Sequence, residues 1–341
     1  MAWSKPMPAQ PVVAVAGATG AVGAEMLAVL EQRGFPAKEV RALASARSAG
    51  TRLRFRGEEV EVAELTESSL EGVDIALFSA GASVSKQFRD AVTASGAVMI
   101  DNSSAFRVEP DVPLVVPEVN AEAAFTHSGV IANPNCSTIQ MVVALAPLER
   151  LARIKRVVVA TYQAASGAGQ AAMQELYDQT KDFLEGRPIV PQRFAHRIAF
   201  NCIPHIDVFL EDGSTKEEWK MVVETRKIMG RPDLAVAATC VRVPVLRCHS
   251  EAVAVEFESP VDPADARAAL KQAPGVTVLD DPQGNEYPMP AALEGTDDVY
   301  VGRIRRDESV PHGLQMWVVA DQLRKGAALN AVQIAELLVA R

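Results

Sequence analysis

A chain of 341 residues is long enough for two domains, each with its own core. Hydrophobic residues make up 48% and charged residues 23%, a soluble globular composition, and no apolar run approaches the roughly 18 residues of a membrane span. The net charge of −9, without a basic run, argues against nucleic acid as a partner and leaves any anionic ligand to a few placed Arg or Lys.

The first ten residues carry two prolines and no apolar stretch, so they read as a loose tail and not as a secretory signal; a cytoplasmic protein is expected. From there the pattern alternates. Val12–Ala16 is a short apolar run ending in glycine, as a buried parallel strand would be. Val22, Met26, Leu27, Val29 and Leu30 then recur at helical spacing until Gly34 stops the helix. Further strands are expected over Val40–Ala44, Asp74–Ser79, Val98–Asp101 and Val130–Ala132, with a helix over Ser85–Ser95. Such alternation predicts an α/β fold with a Rossmann-type, doubly wound parallel sheet.

The character changes after Asn133-Pro134-Asn135. An amphipathic helix is expected over Ser137–Leu151, followed by strands over Val157–Tyr162, Ala235–Val245, Ala252–Phe257, Val299–Arg305 and Leu314–Ala320. Helices over Gly169–Leu184 and Glu217–Met229 punctuate them. The polar–apolar alternation of several strands predicts a largely antiparallel mixed sheet with one covered face, an α+β domain. The last segment, Asp321–Ala340, reads as an amphipathic helix that packs back on the first domain. The expected domains are therefore 11–134, completed by 321–341, and 135–320.

Gly17, Thr19, Gly20, Ala21, Val22 and Gly23 belong to a glycine-rich turn that follows a strand and opens a helix. Its glycines let the backbone approach a pyrophosphate, and the helix N-terminus offers free N–H groups. A NAD site would place an acidic residue after the second strand to take the ribose 2′-hydroxyl. Here that strand leads into Ser45-Ala46-Arg47-Ser48, and Arg47 with Ser48 suits a 2′-phosphate, so NADP is expected; the alternative is an arginine on a solvated loop.

Four cysteines, Cys136, Cys202, Cys240 and Cys248, show neither a CxxC nor a disulfide pattern, so reduced thiols and no metal site are expected. Cys202, Cys240 and Cys248 read as small buried hydrophobes. Cys136 stands where a loop turns into a helix, where free N–H groups and the dipole stabilise thiolate over thiol and can hold an oxyanion. Position alone leaves it open between a nucleophile and a core residue.

Together the glycine turn, Asn133-Pro134-Asn135-Cys136-Ser137-Thr138, Gln163-Ala164-Ala165-Ser166-Gly167-Ala168-Gly169, Glu217-Glu218-Trp219-Lys220, Arg242-Val243-Pro244 and His249-Ser250-Glu251 resemble the aspartate-β-semialdehyde dehydrogenases, in order over nearly the whole chain. The resemblance implies a cytoplasmic homodimer that uses NADPH to convert L-aspartyl-4-phosphate to L-aspartate 4-semialdehyde and phosphate, in the biosynthesis of lysine (through diaminopimelate), methionine and threonine. It also implies roles. Cys136 would carry the acyl group as a thioester. His249 would be the general acid–base, and Gln163 would orient the substrate. Arg242 would clamp the α-carboxylate with its guanidinium fork, and Glu217 would face the ammonium group. Arg107 and Lys220 would hold the phosphate. Ser166, Gly167 and Gln322 would lie around the nicotinamide, although the family often has Asn where Gln322 stands. Without the resemblance, Glu217 and Lys220 read as a surface ion pair. His127, His196, His205 and His312 read as structural histidines.

The nearest rival is N-acetyl-γ-glutamyl-phosphate reductase, which shares the chemistry, but its N-acetylated substrate has no ammonium group for Glu217. A non-catalytic relative would lack the cysteine or the histidine. A hydrolytic cysteine enzyme gives no reason for the glycine turn.

Overall fold

The computed structural model describes residues 5–340, which divide into two compact units. One comprises the chain up to Asn135 together with the stretch from Ala327 onward; the other is Cys136–Gly326.

The first unit runs β1 (Val12–Ala16), α1 (Ala21–Gln32), β2 (Glu39–Ala44), β3 (Arg52–Phe55), β4 (Glu58–Glu61), β5 (Ala63–Glu64), β6 (Ile75–Phe78), α2 (Ala82–Ala94), β7 (Val98–Asp101), α3 (Pro117–Asn120) and β8 (Val130–Ala132). Six strands form one parallel sheet in the order β5-β2-β1-β6-β7-β8. The order reverses between β1 and β6, the switch point at which doubly wound sheets open a crevice beyond their carboxyl ends. The central strands β1, β6, β7 and β8 are apolar in nearly every position, as a sheet covered on both faces requires, while β2 and the edge strand β5 carry charged residues. Val13, Val15, Ile75, Leu77, Val98 and Ile100 meet Met26 and Leu30 of α1 and Val332, Ala335 and Leu338 of the C-terminal helix in one core.

Two expectations change here. The segment read as a loose tail is tied down at Lys5, whose Nζ lies 3.1 Å from the Asp74 carboxylate and 2.9 Å from the Gly96 carbonyl. Residues 1–4 of that tail and the final Arg341 lie outside the described residues. The last segment is not one helix: Arg324–Ala328 forms a π turn, and the α-helix starts only at Leu329. The cause is Asp321, whose carboxylate is taken by Arg247 (2.7 Å) and by the backbone N–H groups of Leu323 and Gly295, which holds its stretch out of helical register.

The second unit begins with α4 (Cys136–Glu149), then β9 (Ile154–Gln163), α5 (Gln170–Leu184), α6 (Lys216–Ile228), β10 (Ala235–Arg242), β11 (His249–Phe257), α7 (Pro263–Lys271), β12 (Val276–Val278), α8 (Pro290–Leu293), β13 (Val299–Asp307) and β14 (Gly313–Ala320). Its sheet is mixed, in the order β10-β9-β11-β14-β13-β12: β10 runs parallel to β9 and β12 to β13, and the other pairs are antiparallel. Helix α4 was expected to be amphipathic, yet every residue from Ser137 to Leu148 is buried. A helix apolar all round belongs in a core, and α4 is the helix around which this unit is built. The opposite face of the sheet is open: Val158 and Tyr162 of β9 and Ala235, Ala237 and Thr239 of β10 are exposed.

Candidate active site

The dinucleotide turn lies at the switch point. Gly17 has φ 84°, and a Cβ there would stand 2.5 Å from the Ser79 carbonyl oxygen, while one at Gly23 would stand 2.1 Å from the Gly17 carbonyl. Only glycine lets the turn lie against the end of β6 and α1 pack against the turn. Gly20 caps α1 with no side-chain hydrogen bond, which leaves the first N–H groups of the helix to a ligand. A cavity of about 440 Å³ opens there, lined by Gly17, Thr19, Gly20, Ser45, Arg47 and Ser48 and, from beyond β6, by Ser79 and Ala80. These residues fit a dinucleotide. The same cavity also holds Glu64, which the sequence reading passed over: its place comes from β5 pairing alongside β2, not from any spacing along the chain.

In the second unit, strand direction gathers the other candidates. Parallel β9 and β10 end together at Gln163 and Arg242, which are register partners, and antiparallel β11 starts at the same edge with His249. Ala164, just past β9, orients two of them with one residue: its N–H donates to His249 Nδ1 at 3.0 Å, and its carbonyl accepts from Arg242 Nη1 at 2.6 Å. With Nδ1 accepting, a neutral His249 carries its proton on Nε2, an atom that is buried and meets no partner in the protein. Burial above all, and then the Arg242 charge, hold the His249 pKa well below its usual value, so the ring is neutral near pH 7.

Cys136 is the first residue of α4 and is partly exposed, unlike the buried Cys240 and Cys248. The backbone of Gly326 comes so close that a Cβ there would stand 2.9 Å from Cys136 Cβ. Burial lowers the Arg242 pKa, while the nearby charges of Glu217 and of a Cys136 thiolate oppose that effect, which places the sulfur within electrostatic reach of the guanidinium. Cys202 is exposed, contrary to expectation: it lies on the loop whose next residue, Ile203, turns inward and pairs with the Arg242 backbone.

The Glu217-Glu218-Trp219-Lys220 stretch opens α6, and its residues divide the work. Glu218 forms a capping box with Thr215 and accepts from the Cys240 backbone at 3.0 Å, which fixes the helix start beside the end of β10. Glu217 and Lys220 then share a face, 3.1 Å apart, with Gln163 Nε2 at 3.2 Å from the other Glu217 oxygen. This is no surface pair, since Glu217 is only 5% exposed. Asp207, which no sequence signal marked, holds Lys220 at 2.7 Å from thirteen residues upstream. Burial works against the Lys220 charge, but Glu217 and Asp207 outweigh it and raise its pKa.

The remaining candidates divide between the units. Ser166 and Gln322 are bonded to each other, and the Gln322 oxygen also accepts from the Cys248 N–H at 2.8 Å, so this amide braces the loop beside His249. Gly167 lies against the Arg242 and His249 side chains. Arg107 belongs to the first unit, on the loop after β7; its Nη2 donates to the Asn102 carbonyl at 2.9 Å, and Asp101 steadies the same loop through Ser103. Asn133 is a buried brace of the first unit, bonded to Asn102 and Asn330. His127 is buried and accepts from the Gly129 N–H, and burial takes its pKa down to about 4.

Residues 12–127 match the model of the semialdehyde dehydrogenase NAD binding domain, and residues 145–325 match that of the semialdehyde dehydrogenase dimerisation domain. The aspartate-semialdehyde dehydrogenase of Aquifex aeolicus is 59% identical, over 96% of this chain and 97% of its own. The chain belongs to the aspartate-semialdehyde dehydrogenase family. Among solved structures, aspartate semialdehyde dehydrogenase II of Vibrio cholerae, complexed with ASA, superposes with a TM-score of 0.95 at 49% identity and covers 97% of this chain and 98% of that one. The Candida albicans enzyme with NADP gives 0.74 at 25% identity, with 96% and 98% covered. The Rossmann-type sheet and the mixed sheet are thus those of the family's NAD-binding and dimerisation domains.

Gly167→Ala tests the packing at the centre of this cluster. Its Cβ would stand 2.9 Å from Arg242 Nη1 and 3.1 Å from His249 Nε2, so both side chains must shift. Turnover should fall by roughly tenfold or more, because a small misplacement of reacting groups is costly. Unfolding should be nearly unchanged. Steady-state kinetics beside a melting curve checks this; an unaltered kcat/KM would show that the two side chains need not stand where they do.

Proposed function

We propose that the chain reduces L-aspartyl-4-phosphate with NADPH to L-aspartate 4-semialdehyde and phosphate, serving lysine, methionine and threonine synthesis, with Cys136 as nucleophile. Family membership supports the activity of an oxidoreductase with an NAD(P)-binding domain. The observation that carries the residue assignment is the convergence of Arg242 and the buried, unpartnered His249 Nε2 beside Gly167, within electrostatic reach of the cysteine that opens α4.

Each residue then has a task. The Cys136 sulfur, steadied by the amides of the first turn of α4, attacks the acyl carbon; a C–S bond forms, and the C–O bond to phosphate breaks with its electron pair leaving on phosphate. His249 Nε2–H donates a hydrogen bond to a substrate oxygen and holds the negative charge that builds there as the sulfur attacks, while phosphate departs as the anion. When bound, NADPH supplies the hydride for the thioester carbon. The sulfur then leaves as the aldehyde forms. Arg242 clamps the α-carboxylate, Glu217 takes the ammonium group, Lys220 takes the phosphate, and Gln163, held between Thr161 and Glu217, sets the substrate against the sulfur. Ser166, Gly167 and Gln322 shape the nicotinamide side.

Purified protein, assayed in reverse with NADP, phosphate and either aspartate semialdehyde or its N-acetylated glutamate counterpart, tests this reading. Cys136→Ser should abolish turnover and selective labelling by iodoacetamide, and Arg242→Leu should raise KM steeply. Preference for the N-acetylated compound, or full turnover by Cys136→Ser, overturns it.

NADP preference rests on Arg47 and Ser48 in the cavity, where a guanidinium can meet a 2′-phosphate. Arg47→Asp should shift the ratio of kcat/KM toward NAD by roughly tenfold or more. Unchanged NADP affinity in that variant would remove Arg47 from the site.

A homodimer through the open sheet face is also proposed. A half-apolar face such as Val158 and Tyr162 with the β10 alanines needs a cover, and the dimerisation-domain match supports a second copy as that cover. Val158→Glu should release monomers in sedimentation; a monomeric wild type, or an unaffected dimer, refutes the assignment.

A further inference from the structure

Glu251 stands two residues beyond His249 on β11, on the same face of the strand, and is fully buried under α4. Neither of its carboxyl oxygens has a hydrogen-bond donor. The side chain that acts on it is that of Gln140, also fully buried, one helical turn after Cys136 on the same face of α4. Gln140 Nε2 faces the His249 carbonyl oxygen at 3.4 Å, and its Oε1 likewise lacks a donor. The amide cannot be turned round, because Oε1 would then oppose that carbonyl, acceptor against acceptor. One proton resolves the set.

We propose that Glu251 is a positioning residue which, as the un-ionised acid, donates a hydrogen bond to Gln140 Oε1 and so ties the first turns of the nucleophile's helix to the strand that carries His249. The chain of bonds is Glu251 O–H to Gln140 Oε1, then Gln140 Nε2–H to His249 O. An ionised carboxylate here would be buried with no cation, at a cost of several kcal/mol. Across the sheet, Glu251 lies opposite Thr161 of β9 and Val318 of β14. The titratable group that feels it is the Cys240 thiol of β10, which burial first, and then Glu217, Glu218 and Glu251, keep protonated. On its own strand it neighbours the neutral His249. Burial pushes the Glu251 pKa well above the ordinary carboxyl range; a Gln140 N–H turned toward the carboxyl would oppose this, whereas Oε1 accepting from the acid works with it.

The proposal rests on Cys136 and His249 as the reacting pair, and its test separates the two. Glu251→Gln and Glu251→Leu are compared with wild type in kcat, KM and thermal unfolding. The Gln variant still offers a donor and should keep kcat within about twofold, while the Leu variant should lose roughly tenfold to a hundredfold in kcat with KM changed by less than about threefold. In the fold Glu251 holds a proton that the unfolded chain releases above about pH 4.5, so wild-type stability must decline with rising pH relative to Glu251→Gln. That melting difference, followed from about pH 5 to 8.5, needs no turnover and stands even if Cys136 is not the nucleophile. A Gln variant as impaired as the Leu variant would mean that the ionised carboxylate is required. A melting difference that is flat, or of opposite slope, would mean that the acid is not held neutral. Either overturns the proposal; if Glu251→Leu does not fold, the two readouts on Glu251→Gln still decide it.

Discussion

Burying a helix on every side leaves its end with little freedom to move. Helix α4 is enclosed from Ser137 to Leu148, so the place of its first residue is fixed by packing and not by a flexible loop. That residue is Cys136. The Gly326 backbone closes in on its Cβ, and the Gln140 amide one turn later reaches the His249 carbonyl. On the sheet side the constraint is strand direction: β9 and β10 end, and β11 begins, at one edge, which delivers Gln163, Arg242 and His249 to the same place. The Cys136 sulfur, an imidazole N–H and a guanidinium are thus positioned by a buried helix and by strand ends of one sheet, the kind of support a precise site needs.

The electrostatics are local. With a net charge of −9 the chain as a whole repels anions, so an anionic substrate depends on single cations held in place. Arg242 is anchored to the Ala164 carbonyl with Glu217 nearby, and Lys220 is gripped by Asp207 and Glu217. These contacts restrict side chains that would otherwise be mobile, at the cost of removing charge from water. His249 lies at the opposite extreme, kept neutral by burial and by the Arg242 charge, with its one free hydrogen aimed at no protein atom. Cys248, just before it, adopts φ 72°, a strained conformation for a non-glycine residue, and the Gln322 amide holds it there.

The dinucleotide cavity follows a different logic. No charged side chain builds the turn itself; backbone close to backbone does, with Gly17 against Ser79 and Gly23 against Gly17. The uncapped amides at the start of α1 can meet an anion, and the charged residues lining the cavity, Arg47 and Glu64, are opposite in sign.

The sequence by itself determined the elements whose signal is local. Val12–Ala16, Val98–Asp101 and Val130–Ala132 were legible to the residue, because they are too short for a helix and rich in β-branched side chains, which favours a buried strand. The motif residues were legible too, since Cys136, Arg242 and His249 each stand in a distinctive local string. Tertiary structure decided whatever depends on partners distant along the chain. The short β3, β4 and β5 carry too little period to be seen, and β5 brings Glu64 to the cavity only by pairing. The apolar residues of α4 run nearly all round the helix, so its full burial was written in its sequence; what tertiary structure decided is which elements enclose it. Asp207 and Gln140 are ordinary polar residues until the fold sets them beside Lys220 and His249. A carboxylate such as Glu251 carries no mark in the chain of whether it is ionised; only its enclosure decides that, because the cost of a charge depends on the medium around it.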